Sequence, residues 1–324
     1  PGSMPPFSRY LSEEGVLIRW YKLIDRGTLK EGALYELLTN APYPSRSPDD
    51  NIADLRAQVA AGETGRRLLL AMMEATGKQT LLAYMRSIRR SAEFKTRQVL
   101  ATLPRGQRVF RDALDDGTEI VVSIDLPAAN EHGPAAIIDF TGSGPVSSGN
   151  LNANAAIVKA ATLYTLRCLI GEDLPLNEGV LEAVQIKIPC PSILAPNPGL
   201  DATSSAAVVG GNVETSQRLV DVLFAAFGLA AASQGTMNNF LFGRASTLER
   251  TGFGYYETIC GGSGASPSGP GADAVQTHMT NTRITDPEVL ERRYPVMLRL
   301  FTIRRGSGGA GRHRGGDGVV REIE

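Results

Sequence analysis

Apolar residues return every three or four positions from residue 47 to about residue 102. Ile52, Leu55 and Val59, then Leu69, Met72 and Met73, mark one side of a first helix. Leu81, Met85, Ile88, Ala92 and Val99 mark one side of a second, whose other side is charged. Ser47-Pro48-Asp49-Asp50 reads as a helix start, with a serine cap, proline at the first helical position and two acids beside the positive end of the helix dipole. Thr76-Gly77 stops the first helix. The pattern therefore predicts a helical hairpin over residues 47–105, with its two arms antiparallel.

Beyond the hairpin the period falls to two. Ile120, Val122, Ile124 and Leu126 share one face of a strand over Thr118–Leu126. Ala135–Phe140 reads as a second strand, with His132 a solvated residue of the loop between them. Val184–Ile188 alternates as well, and Pro189 and Pro191 end it. Two helices, over about 153–170 and over Val213–Ala231, are apolar nearly all round and are expected to be buried. Gly254–Thr258 and Tyr294–Ile303 supply further strands. There is no clean βαβ rhythm, so the expected class is α+β: mixed sheets with buried helices plus a helical hairpin. The division expected is a leading segment over 1–46, the hairpin over 47–105 and a mixed core over 106–324. Both chain ends read as the interior of a longer polypeptide.

Composition narrows the function. The 324 residues are 42% hydrophobic and 21% charged, ordinary globular values, with a net charge of −1. A nucleic-acid binder shows a basic stripe; here Arg86, Arg89 and Arg90 run straight into Glu93, as on a solvated helix face. No apolar run reaches membrane-spanning length. The three cysteines are far apart and odd in number, which gives neither a zinc spacing nor a disulfide framework. A reducing, cytoplasmic compartment is expected. Cys168 is expected in the core, and Cys260, before two glycines, is a candidate reactive thiol.

The glycine-rich stretch from Cys260 invites a phosphate-loop reading. Between Cys260 and Thr282 there is neither lysine nor arginine, and the glycines run into Pro267 and Pro270 rather than into a helix. Arg304-Arg305-Gly306 is basic but opens no predicted helix. Nucleotide binding by this loop is therefore rejected; a turn that permits close backbone approach replaces it. The polar string just beyond the glycines is denser in chemistry. His278, Thr280, Asn281, Thr282 and Arg283 offer amides and hydroxyls suited to a neutral, polar substrate such as a cyclic amide. His278 has no second His or Cys at ligand spacing. Glu214, Glu257 and Asp286 are the nearest acids and candidate general bases. Glu214 sits in the first turn of its helix and Asp286 before Pro287, where acids complement helix starts, so Glu257 is preferred.

Nine strings run in order along the chain: Gly2-Ser3-Met4-Pro5-Pro6, Asn51–Gln58, Asp139–Gly142, Gly149–Ala153, Gly211–Arg218, Ala232–Asn239, Tyr255–Thr258, His278–Asp286 and Arg314–Gly318. On these strings the sequence resembles the hydantoinase B/oxoprolinase family. The resemblance implies a B component that helps open a lactam or hydantoin ring. An A-type ATPase partner, separate or fused, would bind ATP and prime the substrate. For such a ring-opening reaction the candidate catalytic groups are Glu257, His278 and Glu214, with Gln234, Asn238, Asn239, Asn281 and Thr282 expected to bind substrate. Family members carry histidines and aspartates ahead of the Gly-Ser-Met-Pro-Pro string that look like ligands for a divalent metal. This sequence starts after that segment, so no metal ligand carries over and the chain alone is expected to be inactive. Asn154 stands where relatives commonly have proline. Two other readings stay open: a subunit of an acetone- or acetophenone-type carboxylase, and a non-catalytic scaffold for the A partner.

Overall fold

The computed structural model describes residues 5–45, 47–128, 133–197, 201–245, 247–250 and 252–324. In chain order the elements are β1 (Ile24–Asp25), β2 (Thr28–Leu29), α1 (Glu31–Thr39), α2 (Pro48–Thr76), α3 (Lys78–Thr102), β3 (Gly106–Ala113), β4 (Glu119–Leu126) and β5 (Ala136–Asp139). Next come α4 (Ala155–Ile170), α5 (Gly179–Glu182), β6 (Val184–Lys187), α6 (Ser216–Phe227), β7 (Asn239–Arg244), β8 (Phe253–Thr258), α7 (Pro287–Arg293), β9 (Leu298–Ile303) and β10 (Val319–Ile323). The class is α+β, as the periodicities predict.

The central sheet runs β3-β4-β5-β6, antiparallel through β5 and parallel between β5 and β6. Its inner face is the predicted alternation: Ile120, Val122, Ile124 and Leu126 are buried, with Ile138 beside them. Helix α6 lies across β3 and β4 and packs on α4. One apolar core joins this face to Leu100 of α3, Leu166 of α4 and Leu219 and Leu223 of α6. Asn154 caps α4, its side chain accepting from Ile157 N at 3.0 Å. The family string around Asn152 is structural. Its buried amide nitrogen donates to the carbonyls of Ser147, Gly149 and Ala207, each at 3.0 Å.

Several expectations shift. The second buried helix opens with a π-helical turn, Gly211–Thr215, and ends at Phe227 rather than Ala231. Gly228 takes φ 74°, and its N–H turns back to the carbonyls of Ala225 and Phe224. Ser47 stands at the start of α2 but its side chain makes no capping bond; Ser45 Oγ accepts from Ser47 N at 3.2 Å instead. Strand β7 pairs with β8 and was hidden because Phe240-Leu241-Phe242 does not alternate. Tyr294–Met297 precedes the strand rather than joining it, since α7 ends at Arg293 and β9 starts at Leu298. Cys168 is exposed, not in the core, because the side of α4 that meets α6 runs through Val158, Thr162, Thr165 and Leu166. His132 and residues Gly2–Met4 lie outside the described residues.

Helices α2 and α3 are separated by Gly77 alone. Burial along them is reached at Ile52, Leu81, Ala92, Thr96 and Leu100. Leu68, Leu69, Leu70 and Met72 on α2, with Leu82, Tyr84, Met85 and Ile88 on α3, are exposed. Among the described residues, no helix is long and apolar enough to cross a membrane.

Candidate active site

Three glycine-rich or polar strings converge beyond the end of α6. The first, Ser233–Asn239, is pinned at both ends by backbone bonds: Gln234 N donates to Gly262 O at 3.1 Å and Met237 N to Val213 O at 3.0 Å. The second, Cys260–Gly264, leaves β8 and lies against it, with Asn238 Nδ2 donating to Ile259 O at 3.1 Å. The third runs from Arg304 to Gly318, between β9 and β10. Gly316 N donates to Ser263 O at 2.9 Å, and Gly271 N to Arg314 O at 2.9 Å. A Cβ on Gly262 would overlap the carbonyl of Gly316, and one on Gly316 the carbonyl of Ala272. The glycines are there so that backbones can touch. The glycine-rich stretch therefore serves as a structural turn that packs backbone on backbone.

Asp317 ties the third string together. It is buried, accepts from Gly306 N at 3.0 Å and Gly308 N at 2.7 Å, and pairs with Arg314. Burial pushes its carboxyl up, but the N–H bonds from Gly308 and Gly306 and the Arg314 charge outweigh it, and hold the group below its ordinary value.

Between the three strings lies a cavity of about 440 Å³. Its polar lining is Ser233, Gln234, Asn238, Ser263, Ser307 and Arg304, with the Cys260 thiol, and among the described residues no carboxylate or imidazole lines it. Burial pushes the Cys260 thiol up, which opposes the thiolate a nucleophile needs. Gln234 Oε1 is buried without a donor among the described residues. Asn238 holds φ 49°, with Ala274 at 51° and His278 at 52°. Such left-handed backbone in residues with a side chain costs about 1–3 kcal/mol each and persists only where the surroundings over-determine it.

Of the residues singled out from the sequence, Gln234, Asn238 and Cys260 line this cavity. Glu214 lies behind them, accepting from Thr236 Oγ1 at 2.6 Å. Its carboxyl is raised above the ordinary value by burial, against the Thr236 bond, with the Asp115 charge raising it further and Arg218 lowering it. Asn239 accepts from Tyr256 OH at 2.7 Å, Thr282 bonds the hydroxyl of Thr258, and Asn281 is exposed.

His278 and Glu257 face inward. His278 Nε2 meets Asp221 Oδ1 at 2.8 Å, and Asp221 also accepts from Ser233 N at 2.9 Å. The imidazole stands edge-on to Phe224, with ring centroids 4.9 Å apart. Gln217 holds the same segment, its Nε2 donating to Thr280 Oγ1 at 2.6 Å and its Oε1 accepting from Met279 N at 3.2 Å. Glu257 is 5% exposed; Arg321 Nε lies 2.6 Å from Oε1, and Tyr255 OH donates to Oε2 at 2.6 Å. Arg321 Nη2 also donates to Glu257 Oε2 at 3.3 Å, so the pair combines the ion contact with one hydrogen bond. Burial, then the bond to Glu257, pushes the Tyr255 phenol up to about 12. Sequence reasoning missed Arg304, Ser307 and Ser263 as lining residues. The available signal was three glycine strings in one chain, which close-packed backbones need.

The hydantoinase B/oxoprolinase family model matches residues 1–324. The chain belongs to that family. It is 44% identical over 346 residues to 5-oxoprolinase 1 of Arabidopsis thaliana, covering 100% of this chain and 26% of that protein. This family member thus spans about a quarter of that relative's length. Among solved structures, the ATP-dependent caprolactamase of Pseudomonas jessenii superposes with TM-score 0.79 at 22% identity, over 96% of this chain and 54% of that one. Nucleotide-free acetone carboxylase superposes with TM-score 0.78 at 16% identity, over 99% of this chain and 44% of that one. At these identities the two structures establish the shared fold.

Proposed function

We propose that this chain is the B component of an ATP-dependent hydrolase that opens a cyclic amide, with 5-oxoproline or a hydantoin as substrate. The observation that carries the reading is the cavity. Its amides and hydroxyls are uncharged and it contains no carboxylate, which suits a lactam presenting N–H and C=O side by side. The name and 44% identity of the Arabidopsis relative support the same class. Gln234 and Asn238 orient the ring; serine hydroxyls and loop N–H groups face the oxygen on which charge develops during water attack. Glu214, half-buried with a raised carboxyl, is the group suited to acid/base work. Glu257 and His278 act as positioning residues through the strand and loop they hold. Asn239, Asn281 and Thr282 complete the polar surround.

ATP belongs to an A-type partner, separate or fused, in a hetero-oligomer, and the pair works in the cytoplasm. A divalent metal, held through ligands upstream of this chain, is part of the same proposal; among the described residues no three His, Cys, Asp or Glu stand close enough to hold one. The TM-score of acetone carboxylase, 0.78, keeps a carboxylase as the second reading. The test uses the full-length parent protein with its partner, following phosphate release from ATP. Stimulation by 5-oxoproline or a hydantoin without bicarbonate is expected. Stimulation that requires a ketone and bicarbonate would transfer the protein to the carboxylases, and full turnover by the A partner alone would leave this chain a scaffold.

A further inference from the structure

Behind the Ser233–Asn239 string stands an arginine that the chemistry above leaves unused. Arg218 rises from the first turn of α6, with its side chain 19% exposed. Its Nη1 donates to Asp112 Oδ2 of β3 at 2.9 Å, and its Nη2 lies 3.9 Å from Asp115 Oδ1, a fully exposed carboxylate. A Cβ on Gly235 would stand 3.1 Å from Arg218 Nη2 and 3.2 Å from Cζ, so the guanidinium lies against the bare face of that glycine. Gly235 also takes φ 77°, a backbone that glycine adopts without steric cost. On one side of it Gln234 lines the cavity, and on the other the Thr236 hydroxyl donates to Glu214 Oε1. The groups that face the Glu214 carboxyl are Thr236, Asp115 and Arg218, and Arg218 is the cation among them.

We infer that Arg218, anchored by Asp112, is a positioning residue of the site: its guanidinium supports the Gln234–Thr236 turn from behind and sets the field at the Glu214 carboxyl. This rests on the reading above in which Glu214 does acid/base work and Gln234 orients the substrate. A planar guanidinium can lie flat on a glycine while one arm holds a carboxylate, which a lysine ammonium cannot do. Its charge favours the ionised form of Glu214, against burial and the Asp115 charge, which favour the protonated form. One side chain thus serves both the group that holds the substrate and the group that moves the proton.

The experiment uses the full-length protein with its ATPase partner and follows kcat/KM against pH on the substrate that stimulates phosphate release. The limb of the profile that belongs to Glu214 is the one that Glu214→Gln removes. The variants are Arg218→Met, Arg218→Lys, and Arg218→Met with Asp112→Asn, which strands no carboxylate if the single change folds poorly. For both Met variants kcat/KM is expected to fall about 10- to 100-fold, as a displaced turn would cause. In both, the Glu214 limb should also move to higher pH, because the carboxyl has lost its neighbouring positive charge. Arg218→Lys should leave the limb in place and recover part of kcat/KM, since charge returns without the flat contact. A limb that stays where it is in both Met variants, with Arg218→Lys no better than Arg218→Met, would overturn the inference and make Arg218 a structural tie between α6 and β3. A parent protein that responds only to a ketone with bicarbonate would end the cyclic-amide reading alone, because the same limb is then read on that substrate.

Discussion

Glu257 and Glu214 show how the same side chain meets different surroundings. Both are acids beside polar strings, yet one is sealed against Arg321 and Tyr255 and the other sits half-buried behind Thr236. Sequence context prefers Glu257, because a helix-start position excuses Glu214 and nothing excuses Glu257. An acid with no local role in the sequence can be occupied by an arginine 64 positions later. Removing one partner of a buried ion pair costs about 3–5 kcal/mol, because the other charge is left without compensation. Glu257→Gln should therefore lower stability by about that amount in urea unfolding, and adding Arg321→Met should return part of it. Stability unchanged by Glu257→Gln would free Glu257 for a direct catalytic role.

At the scale of elements, local pattern predicts what local physics controls. The alternation of β4 and the apolar surround of α4 and α6 survive because each element meets the core along most of its length. Helix α6 stops where Gly228 permits a left-handed turn, and α7 starts where Asp286 accepts from Glu288 N at 3.0 Å. The Arg304–Gly318 loop has neither period nor hydrophobic face, and is shaped by Asp317 and by backbone contact with Cys260–Gly264. Its stability should depend on pH in a defined sense. The Asp317 carboxyl is held below its ordinary 3.8, so its contribution is complete above that pH and is lost as the pH falls through the lower folded value. Thermal unfolding of the parent chain should show this acid loss, and Asp317→Asn should be less stable than the parent near neutrality and lose that segment of the pH dependence. A parent and variant with superimposable acid profiles would refute it.

For the whole molecule, the hairpin is the clearest case of a pattern that does not fix its own surroundings. The period predicts two amphipathic helices, and two helices form. Their outer halves leave Leu69, Met72, Met85 and Ile88 exposed, while Ala92 and Leu100 enter the core. Met72→Lys with Met85→Lys should accordingly change folding stability by less than about 1 kcal/mol, as surface substitutions do. A loss of several kcal/mol in chemical denaturation would show that this face is buried after all.

Sequence alone established the α+β class, the two helices α2 and α3, the inner face of β4, the buried helix α6 and the strings that carry the family. These depend on periodicities and caps, which act within a few residues of chain. It also rejected a phosphate loop, from the want of a basic residue between Cys260 and Thr282. The cavity needed tertiary structure. Gln234, Cys260 and Arg304 come from three separate strings, and they meet because glycine backbones pack without side chains between them. The inward turn of His278 onto Asp221 and of Glu257 onto Arg321 was decided at the same level, since a buried polar group takes whichever partner the fold brings within reach.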